Sequence, residues 1–194
     1  MSRRRLKSLL LPLLFPLLLL ATSAQASDLK LAELMGLLAQ TRSARATFVE
    51  QKFIAVLDKP VESSGELAFT APDVLEKRTL QPKQEAITLR GNEITLERGK
   101  RSMIVSLQDY PDAAVFVESI RATLAGDQKA LESVWRVEAD GTLARWTLRL
   151  TPINANAYVS RIRMQGTRND VKQIEIEQKD GDRSVMTITR LPQP

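Results

Sequence analysis

Between residues 44 and 190 the apolar side chains fall mostly on every second position, and short turn signals break the pattern at frequent intervals. A period of two marks a strand with one buried face, whereas a helix repeats at 3.6. Eleven such runs are predicted: Ala44–Leu57, Val61–Thr70, Asp73–Gln81, Gln84–Arg90, Glu93–Arg98, Arg101–Leu107, Glu132–Ala139, Thr142–Thr151, Ala157–Gln165, Val171–Lys179 and Arg183–Arg190. Gly91-Asn92, Gly99-Lys100, Asp140-Gly141 and Asp180-Gly181 read as tight hairpin turns between them. Connections this short join antiparallel neighbours. A twisted sheet of about eleven strands tends to curl. The expected fold is therefore α+β: a curved antiparallel sheet, a half-open β-barrel, with a few helices covering its concave apolar side.

Two stretches break the alternation. Leu31, Leu34, Met35 and Leu38 recur at i, i+3, i+4 and i+7, which is one helical face. Asp28 is the expected cap of a helix opening at Leu29, with residues 40–43 ending it. Farther on, Ala113, Phe116, Val117, Ile120 and Leu124 share a face after Pro111-Asp112, and Gly126 stands where a helix-terminating glycine belongs. Residues 127–131 read as a further helical turn.

The alternation also assigns faces. Ala144, Trp146, Leu148 and Leu150 share one side of their strand, and Arg145, Thr147 and Arg149 the other. Ile162 and Met164 oppose Arg161 and Arg163. Ile174 and Ile176 oppose Glu175 and Glu177, and Met186 and Ile188 oppose Val185 and Thr187. One face is apolar and the other charged, with Arg and Glu rows set to neutralise each other across strands. A solvated outer face explains those charges; a docking surface for an acidic partner is the alternative.

The first residues have a different character. Arg3, Arg4, Arg5 and Lys7 precede a 13-residue apolar run, Leu9–Ala21, interrupted by Pro12 and Pro16 and followed by Ala24-Gln25-Ala26. This is the three-part pattern of a secretory signal peptide, and the run is short for a membrane span. Cleavage is predicted after Ala26, leaving one domain over residues 27–194 in the periplasm. Without the leader the charge falls from +5 to 24 basic against 23 acidic side chains. The basic pI thus says nothing for nucleic acid. The chain has no cysteine, so it lacks the residue that an N-terminal lipid anchor requires. A monomer is expected.

Catalytic chemistry finds little to work with. Without histidine or cysteine there is no Ser-His-acid triad, no thiol nucleophile and almost no route to a zinc or copper site. Glu175 and Glu177 come nearest to a glycosidase pair, but they alternate with isoleucines and have basic neighbours, as surface charges do. Asp180-Gly181-Asp182 starts like a calcium loop, but Arg183-Ser184-Val185 adds no further acid. The glycines never assemble into a phosphate-binding loop, and few aromatics stand among the basic residues to stack on bases. No enzyme activity, cofactor or metal is expected.

Several short segments resemble a known family. Ala46-Thr47-Phe48-Val49-Glu50-Gln51 looks like the "A-x-F-x-Q" first strand of the outer-membrane lipoprotein carrier proteins, LolA. Gly65-Glu66-Leu67-Ala68-Phe69 looks like their "G-x-L" second strand, and Pro72-Asp73-Val74-Leu75 followed by Gln81-Pro82 like their "R-P-x-x-F … P" segment. The order of elements agrees over nearly the whole chain after the leader, and the divergent LolA-like group is the better match. The chain departs from the family at Ala71, where members carry an arginine implicated in holding a closed, lidded state. It also has Lys77 in place of a tryptophan, and Gly91-Asn92-Glu93-Ile94 lacks the tryptophan of a later motif.

The resemblance implies a carrier that binds the acyl chains of a lipidated molecule, receives it from an inner-membrane exporter and yields it to an outer-membrane acceptor. With the arginine missing, the cargo is a lipoprotein or instead a glycolipid, lipidated pigment or polyketide. Exposed to water, an acyl chain of about sixteen carbons costs about 12 kcal/mol, which a concave apolar face removes. The candidate cavity wall is Phe48, Leu67, Phe69, Leu89, Ile94, Leu96, Met103, Val105, Trp146, Leu148, Ile162, Met164, Ile174 and Ile176. The helix bearing Phe116, Ile120 and Leu124 is the candidate lid. The same residues equally suit a packed core beneath the helices. Two other readings stay open: a lipid-sensing regulatory module docking on a membrane-protein partner, and an enzyme acting on an acylated envelope molecule.

Overall fold

The computed structural model describes residues 29–192; the predicted leader and the Asp28 cap lie outside them. Helix α1 (Leu31–Leu38) is followed by six strands: β1 (Ser43–Phe53), β2 (Val61–Thr70), β3 (Val74–Gln81), β4 (Glu85–Arg90), β5 (Glu93–Arg98) and β6 (Arg101–Ser106). A 3-10 turn (Leu107–Asp109) leads into α2 (Pro111–Ala125) and α3 (Gln128–Val134). Five more strands close the chain: β7 (Trp135–Thr142), β8 (Arg145–Pro152), β9 (Val159–Thr167), β10 (Asp170–Gln178) and β11 (Arg183–Arg190).

All eleven strands form one antiparallel sheet in the order β6-β5-β4-β3-β2-β1-β11-β10-β9-β8-β7. The order follows the chain except where β1 pairs with β11, so the two ends of the domain meet mid-sheet and the chain's middle supplies both edges. Helices α2 and α3 are inserted between the edge strands β6 and β7, α1 precedes β1, and all three pack over the open side. This is the expected curved sheet with helical cover.

Several boundaries move; β9 runs Val159–Thr167, two residues later than expected. Helix α1 begins at Leu31, after an extended Lys30, rather than at Leu29. Residues 132–134 belong to α3 and not to a strand: Asp127 caps that helix by accepting from Ala130 N–H at 3.0 Å, and Gln128 reaches Glu132 at 2.9 Å. Strand β1 stops at Phe53, leaving residues 54–60 as a loop. Asp140-Gly141 is no hairpin turn, because β7 runs through both residues, and the turn falls at Leu143-Ala144, flanked by the Thr142–Arg145 pair. Gly141 has φ +96°, and a Cβ there would stand 2.3 Å from the Arg145 carbonyl oxygen. The glycine is required by close strand approach and not by a turn.

Register places one residue of each directly opposed pair beside the next on the same face. Across the sheet, Leu150, Ile162 and Ile176 align, as do Ala139, Leu148, Met164, Ile174 and Met186. On the other side of the seam run Leu67, Lys77, Ile87, Leu96 and Met103, and beside them Phe69, Leu75, Leu89, Ile94 and Val105. These rows form the inner face. The largest core cluster joins Trp135, Trp146, Leu148, Leu150, Ile162 and Met164 to Leu34, Met35 and Leu38 of α1, Ala122 of α2 and Leu131 of α3. On the outer face Arg161 lies opposite Glu177, and Arg163 opposite Glu175, with ion pairs Arg161–Glu177, Arg163–Glu175 and Arg183–Glu175.

Candidate functional site: an apolar cleft under the second helix

Helix α2 crosses the open side of the sheet and is tied down along its length. Ser119 accepts from the Trp135 indole N–H at 2.5 Å, anchoring α2 to the start of β7. Two residues later, Arg121 donates to the Gly91 carbonyl in the β4–β5 turn at 2.7 Å and pairs with Glu118 on its own helix. Gly126 ends the helix at φ +71°, against α1, where a Cβ would lie 2.3 Å from the Met35 carbonyl oxygen. At that position glycine answers both conformation and contact. The tether between helix and sheet turn comes from the helix, through Arg121.

The start of α2 leaves a gap. A cleft of about 520 Å³ opens between its first turns and the ends of β9 and β10. Tyr110, Pro111, Ala113 and Phe116 form one wall, Tyr158, Val159 and Ile176 the other, with Asp109 and Gln178 at the polar margin. Its size lies within the range of small-molecule sites, and an apolar lining with few polar groups is what such sites present. The Tyr158 hydroxyl lies 2.9 Å from Gln178 Oε1 and 2.7 Å from Asp180 Oδ2. The Asp180 carboxyl is held below its ordinary range by the Asp182 backbone N–H and by Tyr158. A smaller hollow of about 160 Å³ is bordered by Arg45, Glu66, Glu76 and Arg78 and is too charged for an alkyl guest.

The strand residues expected to share a face do so, but they occupy different surroundings. Of the candidate cavity residues, Phe116 and Ile176 line the cleft. Trp146, Leu148, Ile162, Met164 and Ile174 are sealed in the core beneath the helices, with Ile176, Ile120 and Leu67 packed at its margin. Trp146 is 1% exposed, and its indole N–H donates to the Arg168 carbonyl at 2.8 Å. Phe48, Phe69 and Leu89 are buried in the β1–β4 half. Ile94, Leu96 and Val105 are half-buried there, as is Leu124 on α2. Met103 is 54% exposed. Eight of the expected wall residues are thus core side chains, and the cleft wall is completed by residues the alternation does not single out: Tyr110, Tyr158, Val159 and Gln178. The clue was composition, since Tyr110 and Tyr158 are the only tyrosines in the chain.

The inner face also carries a buried charge pair. Glu50 is 4% exposed and accepts from Lys77 Nζ at 2.5 Å and Ser184 Oγ at 2.7 Å. Lys77 lies over the Phe48 ring at 4.9 Å. Burial pushes the Glu50 carboxyl up, but the Lys77 charge, hydrogen bonds from Lys77 and Ser184, and the charge of Lys52 outweigh it, and the group titrates below its ordinary value. The alternation puts both residues on the apolar side, beside Phe48 and between Leu75 and Thr79, so this signal was present in the sequence. Among the described residues, no group of three or more acidic side chains stands where it could hold a metal ion, and no helix is long and apolar enough to cross a membrane.

No curated protein matches the chain. Among solved structures it is similar to a LolA superfamily protein from Nitrosomonas europaea, at 9% identity over 84% of this chain and 94% of that one, with TM-score 0.42. A DUF1329 family protein from Desulfovibrio piger is similar at 12% identity over 82% and 88%, TM-score 0.46. A chain of the Pseudomonas aeruginosa MucA/MucB complex is similar at 11% identity, TM-score 0.47; the match covers 84% of this chain and 58% of that one. The sequence itself is the firmer guide: residues 21–189 match the family described as outer membrane lipoprotein carrier protein LolA-like, and the chain belongs to that family.

Proposed function

We propose that this protein is a periplasmic carrier that shelters the acyl tail of a lipidated molecule between the inner and outer membranes. The observation that carries the reading is the 520 Å³ cleft, whose walls are apolar while its margin is polar. An alkyl tail between Phe116 and Ile176 leaves water, which is the dominant gain, and a head group stays at Asp109 and Gln178 or in solvent. The cover over it is the first part of α2; the side-chain ties of that helix to the sheet, Ser119–Trp135 and Arg121–Gly91, lie beyond Phe116, toward its C-terminal half. On this reading residues 1–26 are a cleaved export signal, an inner-membrane exporter loads the carrier, and an acceptor at the outer membrane empties it by favouring the open state. No chemical step is required of the protein.

The test is transfer of a fluorescent acylated probe from donor to acceptor vesicles. The carrier reading expects acceleration that scales with protein concentration and is lost in Ile176→Arg, which puts a charge in the cleft wall. Tight binding of the probe with no acceleration points instead to a lipid-sensing module, and absence of both overturns the carrier reading.

A further inference from the structure

Strand β6 is an edge of the sheet, paired with β5 alone among the described residues. The bonding phase along that pair is fixed at its end, where the Leu107 N–H donates to the Asn92 carbonyl at 2.8 Å. Alternate pairs of an antiparallel ladder exchange hydrogen bonds, so Ile94–Val105, Leu96–Met103 and Arg98–Arg101 use theirs within the sheet. Ser102, Ile104 and Ser106 therefore turn N–H and C=O away from β5, toward solvent. An exposed row of this kind is a template for another strand.

The side chains of this edge are unfinished too. Met103 is 54% exposed and Ile104 64%; the first lies on the inner face beside Leu96, the second on the outer face beside Thr95. A strand laid against β6 thus covers apolar surface on both faces at once. Residues 102–106 hold no charge and no proline, and they pair with β5 without a bulge, so the usual guards of an edge are missing. The other edge differs. Strand β7 carries Arg136, Glu138 and Asp140 at alternate exposed positions, and none of its large apolar side chains is exposed.

The register identifies the partner. The outward groups are centred on Ile104, so an antiparallel copy of β6 pairs Ile104 with itself across a twofold axis and Ser102 with Ser106, each pair exchanging both bonds. Met103 then meets Val105 of the partner subunit at a closer, non-bonded position. Arg101 falls opposite Leu107 of the partner subunit, so the strand opposes no like charges. The inner rows join as well: Leu96 and Met103 of one copy run on into Val105 and Ile94 of the partner subunit.

We propose that β6 is a homodimer interface at which two copies pair edge to edge into one antiparallel sheet, in place of the monomer expected from the sequence alone. The two partly open halves of the inner face then form one apolar floor across the twofold. The pairing uses no residue that lines the cleft.

Sedimentation velocity over about a hundredfold range of concentration tests it. Wild-type protein is expected to pass from monomer to dimer and no further, because a twofold contact closes on itself. Ile104→Pro removes an outward N–H that the β5 ladder does not use. It is expected to weaken dimerisation about tenfold or more, with an unchanged melting temperature at dilutions where the wild type is monomeric. Should that variant fold poorly, Ile104→Lys and Ile104→Glu make the same test with the backbone intact. Each alone sets like charges against each other at the axis and is expected to stay monomeric, while their equimolar mixture recovers dimer. A folded variant that dimerises as well as the wild type, or a mixture no more dimeric than its components, overturns the proposal. A wild type that stays monomeric also overturns it and leaves the edge to a strand of another protein. None of these readouts uses an acyl ligand, so failure here leaves the carrier reading standing.

Discussion

The two halves of the inner face are built from the same alternation but differ in what covers them. From β7 to β10 the rows of Leu148, Leu150, Ile162 and Met164 lie under all three helices, at 0–1% exposure. From β2 to β6 the corresponding row is Leu67, Lys77, Ile87, Leu96 and Met103: it includes a charge and ends in an exposed methionine. One half is a core that fixes the helices. The other is a partly open shelf, joined to them by Arg121 and by the 3-10 turn, whose Leu107 N–H donates to the Asn92 carbonyl at 2.8 Å. The cleft lies where α2 leaves the sealed half uncovered, at the ends of β9 and β10. The same strands β9 and β10 thus supply core where the helices cover them and a cleft wall at the ends the helices leave open.

The sharpest way to break that comparison is to empty both halves equally. Trp146→Ala in the sealed half is expected to cost about 3–5 kcal/mol, while Leu96→Ala on the shelf should cost less than about 1 kcal/mol, as read from urea denaturation midpoints. Equal costs would mean that the shelf is as tightly packed as the core. The next effect concerns the pair at the seam. Lys77→Met leaves the buried Glu50 without its hydrogen-bonded cation, with only Lys52 at 4.0 Å, and should cost about 2–3 kcal/mol, and the double change to Glu50→Leu and Lys77→Met should recover most of it.

That pair also sets a pH dependence. The folded Glu50 carboxyl titrates below its unfolded value, so its contribution is fully present at neutral pH and is lost as pH falls through the folded value. Wild-type stability should decline in that acid range more steeply than that of the double variant. A smaller effect is expected at the tether. Arg121→Ala removes one hydrogen bond and should cost about 1 kcal/mol, yet speed the release of a bound acyl probe, as measured by stopped-flow displacement. The smallest concerns tryptophan emission. Trp146 is sealed and hydrogen-bonded to Arg168, so its fluorescence should stay unchanged when an acyl ligand binds; a clear shift would show that the guest enters the core.

What the sequence disclosed follows from the range of the forces involved. Strand faces, the Gly91-Asn92 turn and the Gly126 helix end depend on local backbone geometry, and all three were legible. Asp140-Gly141 misled because its glycine serves a contact with Arg145 across the hairpin, which no local rule contains. The alternation put Trp146 and Phe116 on apolar faces without showing that one is sealed and the other borders a cleft. That depends on where α2 comes to rest, fixed by Ser119–Trp135 and Arg121–Gly91 across 16 and 30 residues of chain. Tyr110 and Tyr158 lie 48 positions apart and share a cleft only once β9 and α2 are assembled.

The most direct measurement is photocrosslinking with a fatty-acyl probe whose terminal carbon carries a diazirine, followed by peptide mapping. If the cleft under α2 holds the tail, labelling should be saturable, be competed by unlabelled lipid, and fall on Phe116, Tyr158, Val159 or Ile176. Labels confined to the outer rows around Arg161 and Arg163, or no saturable labelling at all, would contradict it.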